Sequence, residues 1–232
     1  MTAAETAGQD GALPSPAPQQ VTVLSQLVAR PGRESVVCDA LLRLVGPARA
    51  EPGNLGYDVH RLKTSPGVFY VLANWADQAA FDAHMATAEV RAMLSDREPD
   101  LVAPPVLSYA RPLSAPPPDG GRRRPRAGSP AQVTLVPFFT VKPTEVIAVA
   151  RAHLAMVEPT RAEPGCLGYD LYQSREQPTV LFFYENWTDQ DALDAHLNTA
   201  AFHRYVRGEV DPRLAVPWAA HTMTMLSSPG GP

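Results

Sequence analysis

From Val21 onward, short β-branched runs alternate with longer stretches in which apolar residues return every three or four positions. Residues 21–29 (VTVLSQLVA) have the length and composition of a strand and are soon followed by a proline suited to a turn. Val37, Leu41, Leu44 and Ala48 then recur at helical spacing, which predicts a long helix with one apolar face ending before Pro52. Glu51, Pro52 and Gly53 mark a turn, because proline removes a helix donor and glycine accepts left-handed backbone angles. A second strand is predicted over LGYDVHRL (55–62) and a third over VFYVLANW (68–75). The near-continuous apolarity of the third fits a strand covered on both faces. A shorter helix with Phe81 and Met85 at i and i+4, and a last strand at about 106–113, close the unit.

The same pattern then begins again. RAEPGNLGYD from Arg49 and RAEPGCLGYD from Arg161 agree at nine of ten positions, 112 residues apart. At that offset NWADQAAFDAHMATA from Asn74 meets NWTDQDALDAHLNTA from Asn186, with ten of fifteen positions identical. The second copy predicts strands over 133–141, LGYDLYQS (167–174), VLFFYENW (180–187) and 218–225. Its long helix carries Ile147, Ala150, Leu154 and Val157, and its short helix Leu193 and Leu197. The expected layout is a disordered tail over 1–20, a domain over 21–113, a Pro/Gly/Arg-rich linker over 114–130, a second domain over 131–226, and a tail over 227–232. The order βαββαβ predicts an α+β fold of two ferredoxin-like domains. Each sheet keeps one apolar face that about 93 residues cannot hide, so the two are expected to pack sheet to sheet as a pseudo-dimeric α/β barrel, an intramolecular pair that leaves a further homodimer open.

Composition changes this picture little. With 45% hydrophobic and 19% charged residues among 232, the chain can bury ordinary cores, and no run reaches the roughly 18 apolar residues of a membrane span. The net charge of −4 gives no general attraction to nucleic acid, and the basic run Arg122–Arg124 with Arg126 sits among prolines and glycines as a solvated linker. The first residues lack the charge and apolar stretch of a secretory signal, which predicts a cytoplasmic protein. Cys38 and Cys166 fall at non-equivalent positions, one in a helix and one in a turn, and form neither a disulfide framework nor a metal set.

Three features recur together: the EPG-x-LGYD turn, a third strand ending in Asn-Trp, and a His nine residues after that Trp. In these features both copies resemble the antibiotic biosynthesis monooxygenase family. The resemblance implies a cofactor-free oxygenase that converts an anthrone-type aromatic polyketide or polycyclic phenol to a quinone with O2, using no metal, flavin or haem. Relatives on the fold oxidise quinols, isomerise small signalling sugars or degrade haem. The implied chemistry needs a dry aromatic pocket, a donor to the enolate oxygen and a proton carrier. Asn74 and Asn186 offer amide donors, Trp75 and Trp187 an indole N–H and a stacking surface, and His84 and His196 a proton carrier. Each also has a structural reading, as core tryptophans and buried histidines. Tyr57 and Tyr169 are candidates for packing under the turn or for lining the pocket. Asp58 and Asp170 suit turn amides, and Arg49 and Arg161 suit a helix C-terminus.

The two pockets are expected to be unequal. Tracing the offset of 112, His60 becomes Tyr172, Leu72 becomes Tyr184, Ala73 becomes Glu185, Arg91 becomes His203, Met93 becomes Tyr205 and Val106 becomes Trp218. This accumulation predicts the C-terminal copy as the active one, with these aromatic and histidine residues binding substrate. Haem degradation is disfavoured because strand one carries Ser25 and Gln26, or Pro137 and Phe138, where the relatives place an Asn. The alternatives are a non-catalytic tandem module binding a hydrophobic small molecule, or an isomerase.

Overall fold

The computed structural model describes residues 13, 15–116 and 132–227, so residues 1–12 and 14 of the expected first tail, most of the expected linker and all of the last tail but Ser227 lie outside the described residues. The N-terminal half runs β1 (Val21–Val28), α1 (Glu34–Ala50), β2 (Asn54–Leu62), β3 (Val68–Trp75), α2 (Gln78–Met85), α3 (Ala88–Arg97) and β4 (Val106–Pro112). The C-terminal half repeats it with β5 (Val133–Thr140), α4 (Val146–Arg161), β6 (Cys166–Ser174), β7 (Val180–Trp187), α5 (Gln190–Leu197), α6 (Ala200–Tyr205) and β8 (Ala219–Met225). Each half is a ferredoxin-like antiparallel sheet, β4-β1-β3-β2 and β8-β5-β7-β6. Among the described residues no helix is long and apolar enough to cross a membrane.

The two sheets do more than face one another. They join edge to edge into one closed eight-stranded barrel. His60, Arg61 and Leu62 of β2 pair with Met225, Thr224 and Met223 of β8. Ala110, Arg111 and Pro112 of β4 pair with Ser174, Gln173 and Tyr172 of β6. Closure removes the free edges that two stacked open sheets would keep. The apolar faces that neither copy can hide fill the shared lumen, where Leu24, Tyr70 and Leu72 of one half meet Tyr172, Phe182 and Tyr184 of the other. Outside the barrel each half has a separate core between its sheet and its helices.

Arg49 and Arg161 carry a role beyond the helix dipole. Arg49 donates to the carbonyl of Tyr57, to the Asp58 carboxylate at 2.8 Å and to the carbonyl of Ser227, which follows β8. Arg161 repeats this with Tyr169, Asp170 and the carbonyl of Ala115. Asp58 and Asp170 therefore each receive an arginine, and each arginine ties its helix to the strand end of the other half. Leu13, within the stretch expected as a tail, is buried in the C-terminal core, and its carbonyl accepts from Arg111.

Three local expectations need correction. Cys166 opens β6 rather than lying in a turn. The buried stripe of α4 is Val149, Ala150, His153 and Val157, while Ile147 is 37% exposed. The repeat also changes offset: the bridge Ala29–Leu101 matches Val141–Leu214, a shift of 112 on one side and 113 on the other. The extra residue lies in a π-helical turn at Val206–Val210, which has no counterpart in the N-terminal half. Trp218 is thus the counterpart of Pro105 rather than of Val106, and it precedes β8 instead of opening it.

Candidate active site

The Glu-Pro-Gly turn docks on the start of α2. Gly53 and Gly165 adopt φ of +79° and +80°, and their carbonyls accept from Ala76 and Thr188 at 2.8 and 2.9 Å. Any Cβ there would meet the first turn of the helix, 2.7 Å from Ala80 Cβ or 2.5 Å from Ala192 Cβ. Docking brings the acid of the turn to the histidine of the helix. Glu51 accepts from His84 Nδ1 at 3.0 Å, and Glu163 from His196 Nδ1 at 2.9 Å. A carboxylate only accepts, so in the neutral ring Nδ1 carries the proton and Nε2 keeps its lone pair. Glu51 and Glu163 were absent from the sequence candidates because the triplet reads as a turn; their identity in both copies was the available signal.

Each histidine lies against the tryptophan that ends the third strand of its half. His84 and Trp75 have ring centroids 4.6 Å apart, His196 and Trp187 4.8 Å, with nearly equal interplanar angles of 32° and 31°. Both tryptophans are fully buried. Tyr57 and Tyr169 meet the same histidines edge-on, at 5.5 and 5.7 Å. Trp, His and Tyr therefore form one cluster per half on the helix side of the sheet.

The asparagines do not join them. Neighbours on a strand face opposite sides, so Asn74 and Asn186 turn into the barrel lumen, where Thr22 and Thr134 donate to them at 2.7 Å. Tyr172 and Tyr184 also lie in the lumen: Tyr172 stacks on Phe182, and the Tyr184 hydroxyl meets His60 Nε2 at 3.0 Å across the two halves. His203 is exposed on α6. Of the expected substrate-binding residues, Tyr57 lines the N-terminal cavity, and Tyr169, Tyr205 and Trp218 line the C-terminal one.

The two halves differ in room. The N-terminal cavity measures about 60 Å³ and is walled by Val23, Val71, Ala73, Phe81 and Met93, with His84, Tyr57 and Ser25 as its polar groups. The C-terminal cavity measures about 10 Å³, room for a single water. Larger side chains have filled it: Met93 is replaced by Tyr205, Pro105 by Trp218 and Leu27 by Phe139, and Trp218 stacks on Phe139. The Tyr205 hydroxyl bonds to the buried His153, which stands where the N-terminal half has Leu41.

Electrostatics separates the halves as well. Burial holds His153 at about 3 and His60 at about 4, so both are neutral. Burial also lowers His196, opposed by the adjacent Glu163. Glu185 is pushed up to about 8 by burial, against the bond it accepts from Trp187 Nε1, with Glu163 raising it further. Among the described residues no three His, Cys, Asp or Glu side chains gather into a metal-ligating group.

The family model for antibiotic biosynthesis monooxygenases matches residues 20–95 and again residues 132–208. The chain belongs to the antibiotic biosynthesis monooxygenase family. Both His–Trp clusters of this chain, Trp75 with His84 and Trp187 with His196, fall inside the matched segments. An uncharacterised protein of Synechocystis is 36% identical over 70 residues, 30% of this chain and 46% of that protein, so the chain spans under half the length of that relative. A Mycobacterium tuberculosis protein named "putative monooxygenase" is 33% identical over 94 residues, 40% of this chain and 91% of its own. Among solved structures, a "putative monooxygenase" of Fusobacterium nucleatum has a TM-score of 0.78 at 15% identity, covering 90% of this chain and 93% of that one. An "anthrone oxidase-like protein" has a TM-score of 0.64 at 15% identity, covering 91% and 93%. At these identities the two structures speak for the tandem fold.

Proposed function

We propose that this protein is a cofactor-independent monooxygenase that oxidises an aromatic carbon acid of the anthrone or polycyclic phenol type with O2, and that its N-terminal cavity is the working site. The observation that carries the reading is the Glu51–His84 pair at the wall of an apolar cavity that has room. His84 Nε2 takes a proton from the substrate, and Glu51 fixes the tautomer and steadies the imidazolium. Trp75 Nε1–H donates to the enolate oxygen as charge develops there. The carbanion passes one electron to O2, and the radical pair joins to form a C–O bond. The peroxide anion recovers the proton from His84, and loss of water across the C–H and O–O bonds leaves the ketone of a quinone. One O2 is consumed and one water released per substrate.

The apolar wall keeps competing water from the anion. A benzene ring needs a cavity on the order of 150 Å³, so entry of a ring requires the half-buried Met85, Leu94 and Leu107 at the wall to swing outward. The test is O2 uptake by the purified protein with dithranol, an anthrone, with no flavin, nicotinamide or metal added and a chelator present. Uptake unchanged by the chelator is expected. Uptake only after flavin or iron is supplied would overturn the reading.

A further inference from the structure

Trp75 and Trp187 hold the same pose against their histidines, yet their indole N–H groups meet different surroundings. Trp187 Nε1 donates to Glu185 Oε2 at 3.1 Å. Trp75 Nε1 is buried and, among the described residues, has no hydrogen-bond partner. The residue two places before each tryptophan, on the same face of the strand, makes the difference. Glu185 pairs across the sheet with Leu135 and Tyr169, and Ala73 pairs at the same register with Val23 and Tyr57. The Glu185 side chain thus has no counterpart above Ala73, and Ala73 lines the larger cavity together with Tyr57 and His84. A buried N–H left without a partner destabilises the fold, and the C-terminal half avoids this with its own carboxyl group.

We propose that Glu185 is a built-in ligand. Its carboxyl group occupies, beside Trp187, the place that an oxygen of the substrate takes beside Trp75. The C-terminal half is then a self-occupied copy. The N-terminal half takes an apolar molecule bearing a carbonyl, enol or carboxyl oxygen that accepts from Trp75, with its acidic hydrogen toward His84. This rests on the N-terminal cavity being the working site. Tyr205, Trp218 and Phe139 complete the occupation, filling the space where the rings of a ligand would lie. Burial keeps the Glu185 carboxyl uncharged at neutral pH, so it stands in for a neutral carbonyl more closely than for a carboxylate.

The test reads the indole N–H resonances of Trp75 and Trp187 in ¹⁵N-labelled full-length protein. In Glu185→Ala, which installs the residue the other half already uses, the Trp187 resonance moves upfield, and added acetamide, a small neutral carbonyl, returns it toward its wild-type position. Glu185→Gln, which keeps an acceptor, leaves it near the wild-type position. In the wild type, dithranol moves the Trp75 resonance and not that of Trp187. Ala73→Glu shifts Trp75 to a resonance like that of Trp187 and weakens dithranol binding by roughly tenfold or more, the loss of about one hydrogen bond. Acetamide without effect on Glu185→Ala, dithranol that moves Trp187 or neither indole, or undiminished binding by Ala73→Glu would each overturn the proposal. If dithranol moves Trp75 but no O2 is consumed, the reaction reading fails while the assignment of Glu185 stands.

Discussion

Replacing Glu185 by Gln removes a buried titratable group while keeping its shape and its oxygen beside Trp187. Glu185 is 3% exposed and titrates at about 8, against 4.5 for a free side chain. The folded state therefore binds this proton more tightly than the unfolded chain, so between about pH 4.5 and 8 folding takes up protons and stability falls as pH rises. Below that window both states are protonated and nothing is lost. Above it the full difference applies, roughly 5 kcal/mol, and at pH 7 about 3 kcal/mol. The buried His60 and His153 act with the opposite sign, since their lowered values make stability rise from about pH 3–4 up to about 6.5. They are common to both proteins and cancel in the comparison. Urea unfolding followed by far-ultraviolet circular dichroism, at several pH values from about 5 to 8.5, measures the difference directly. Glu185→Gln is expected to lie closest to the wild type near pH 5 and to exceed it increasingly toward pH 8. A difference that stays constant with pH, or that grows toward acid, would show that Glu185 is ionised in the fold.

Two further outcomes follow from the barrel and the turn. Either half expressed alone exposes its lumen face and loses the β2–β8 and β4–β6 joins, so light scattering should find dimers or aggregates, whereas a monomeric, cooperatively folding half would contradict the shared lumen. Gly165→Ala forces a left-handed residue into Ala192 Cβ and Thr188 Oγ1, and a loss of about 2 kcal/mol or more is expected in urea unfolding; a loss under about 0.5 kcal/mol would contradict the close approach.

The third strands of both copies could be read from sequence to the residue, because apolarity, length and the terminal Trp agree with a strand sealed on both sides. The repeat made the pairing of halves legible, since an apolar sheet face in each copy demands a partner. Edge joining was not legible, because it depends on three residue pairs at each seam. The short α3 and α6 were missed: α3 buries only Val90 and Met93, too few to show a period. His153 hid the true stripe of α4 behind a polar letter. Adjacent residues on a strand must point apart, so the separation of Asn74 from Trp75 was available from alternation alone. The difference in room was not, because Tyr205 and Trp218 raise the polar and aromatic count of the C-terminal half while consuming its volume. The one-residue shift at the π turn lies in a segment without sequence identity to anchor it.

The most direct test of a single working site compares His84→Ala with His196→Ala in dithranol-dependent O2 consumption, with folding checked by circular dichroism. Loss of a general base lowers turnover by about 100-fold or more, so His84→Ala should fall that far while His196→Ala stays within about twofold of the wild type. Equal losses, or a larger loss from His196→Ala with the fold intact, would contradict the assignment of the chemistry to the N-terminal cavity.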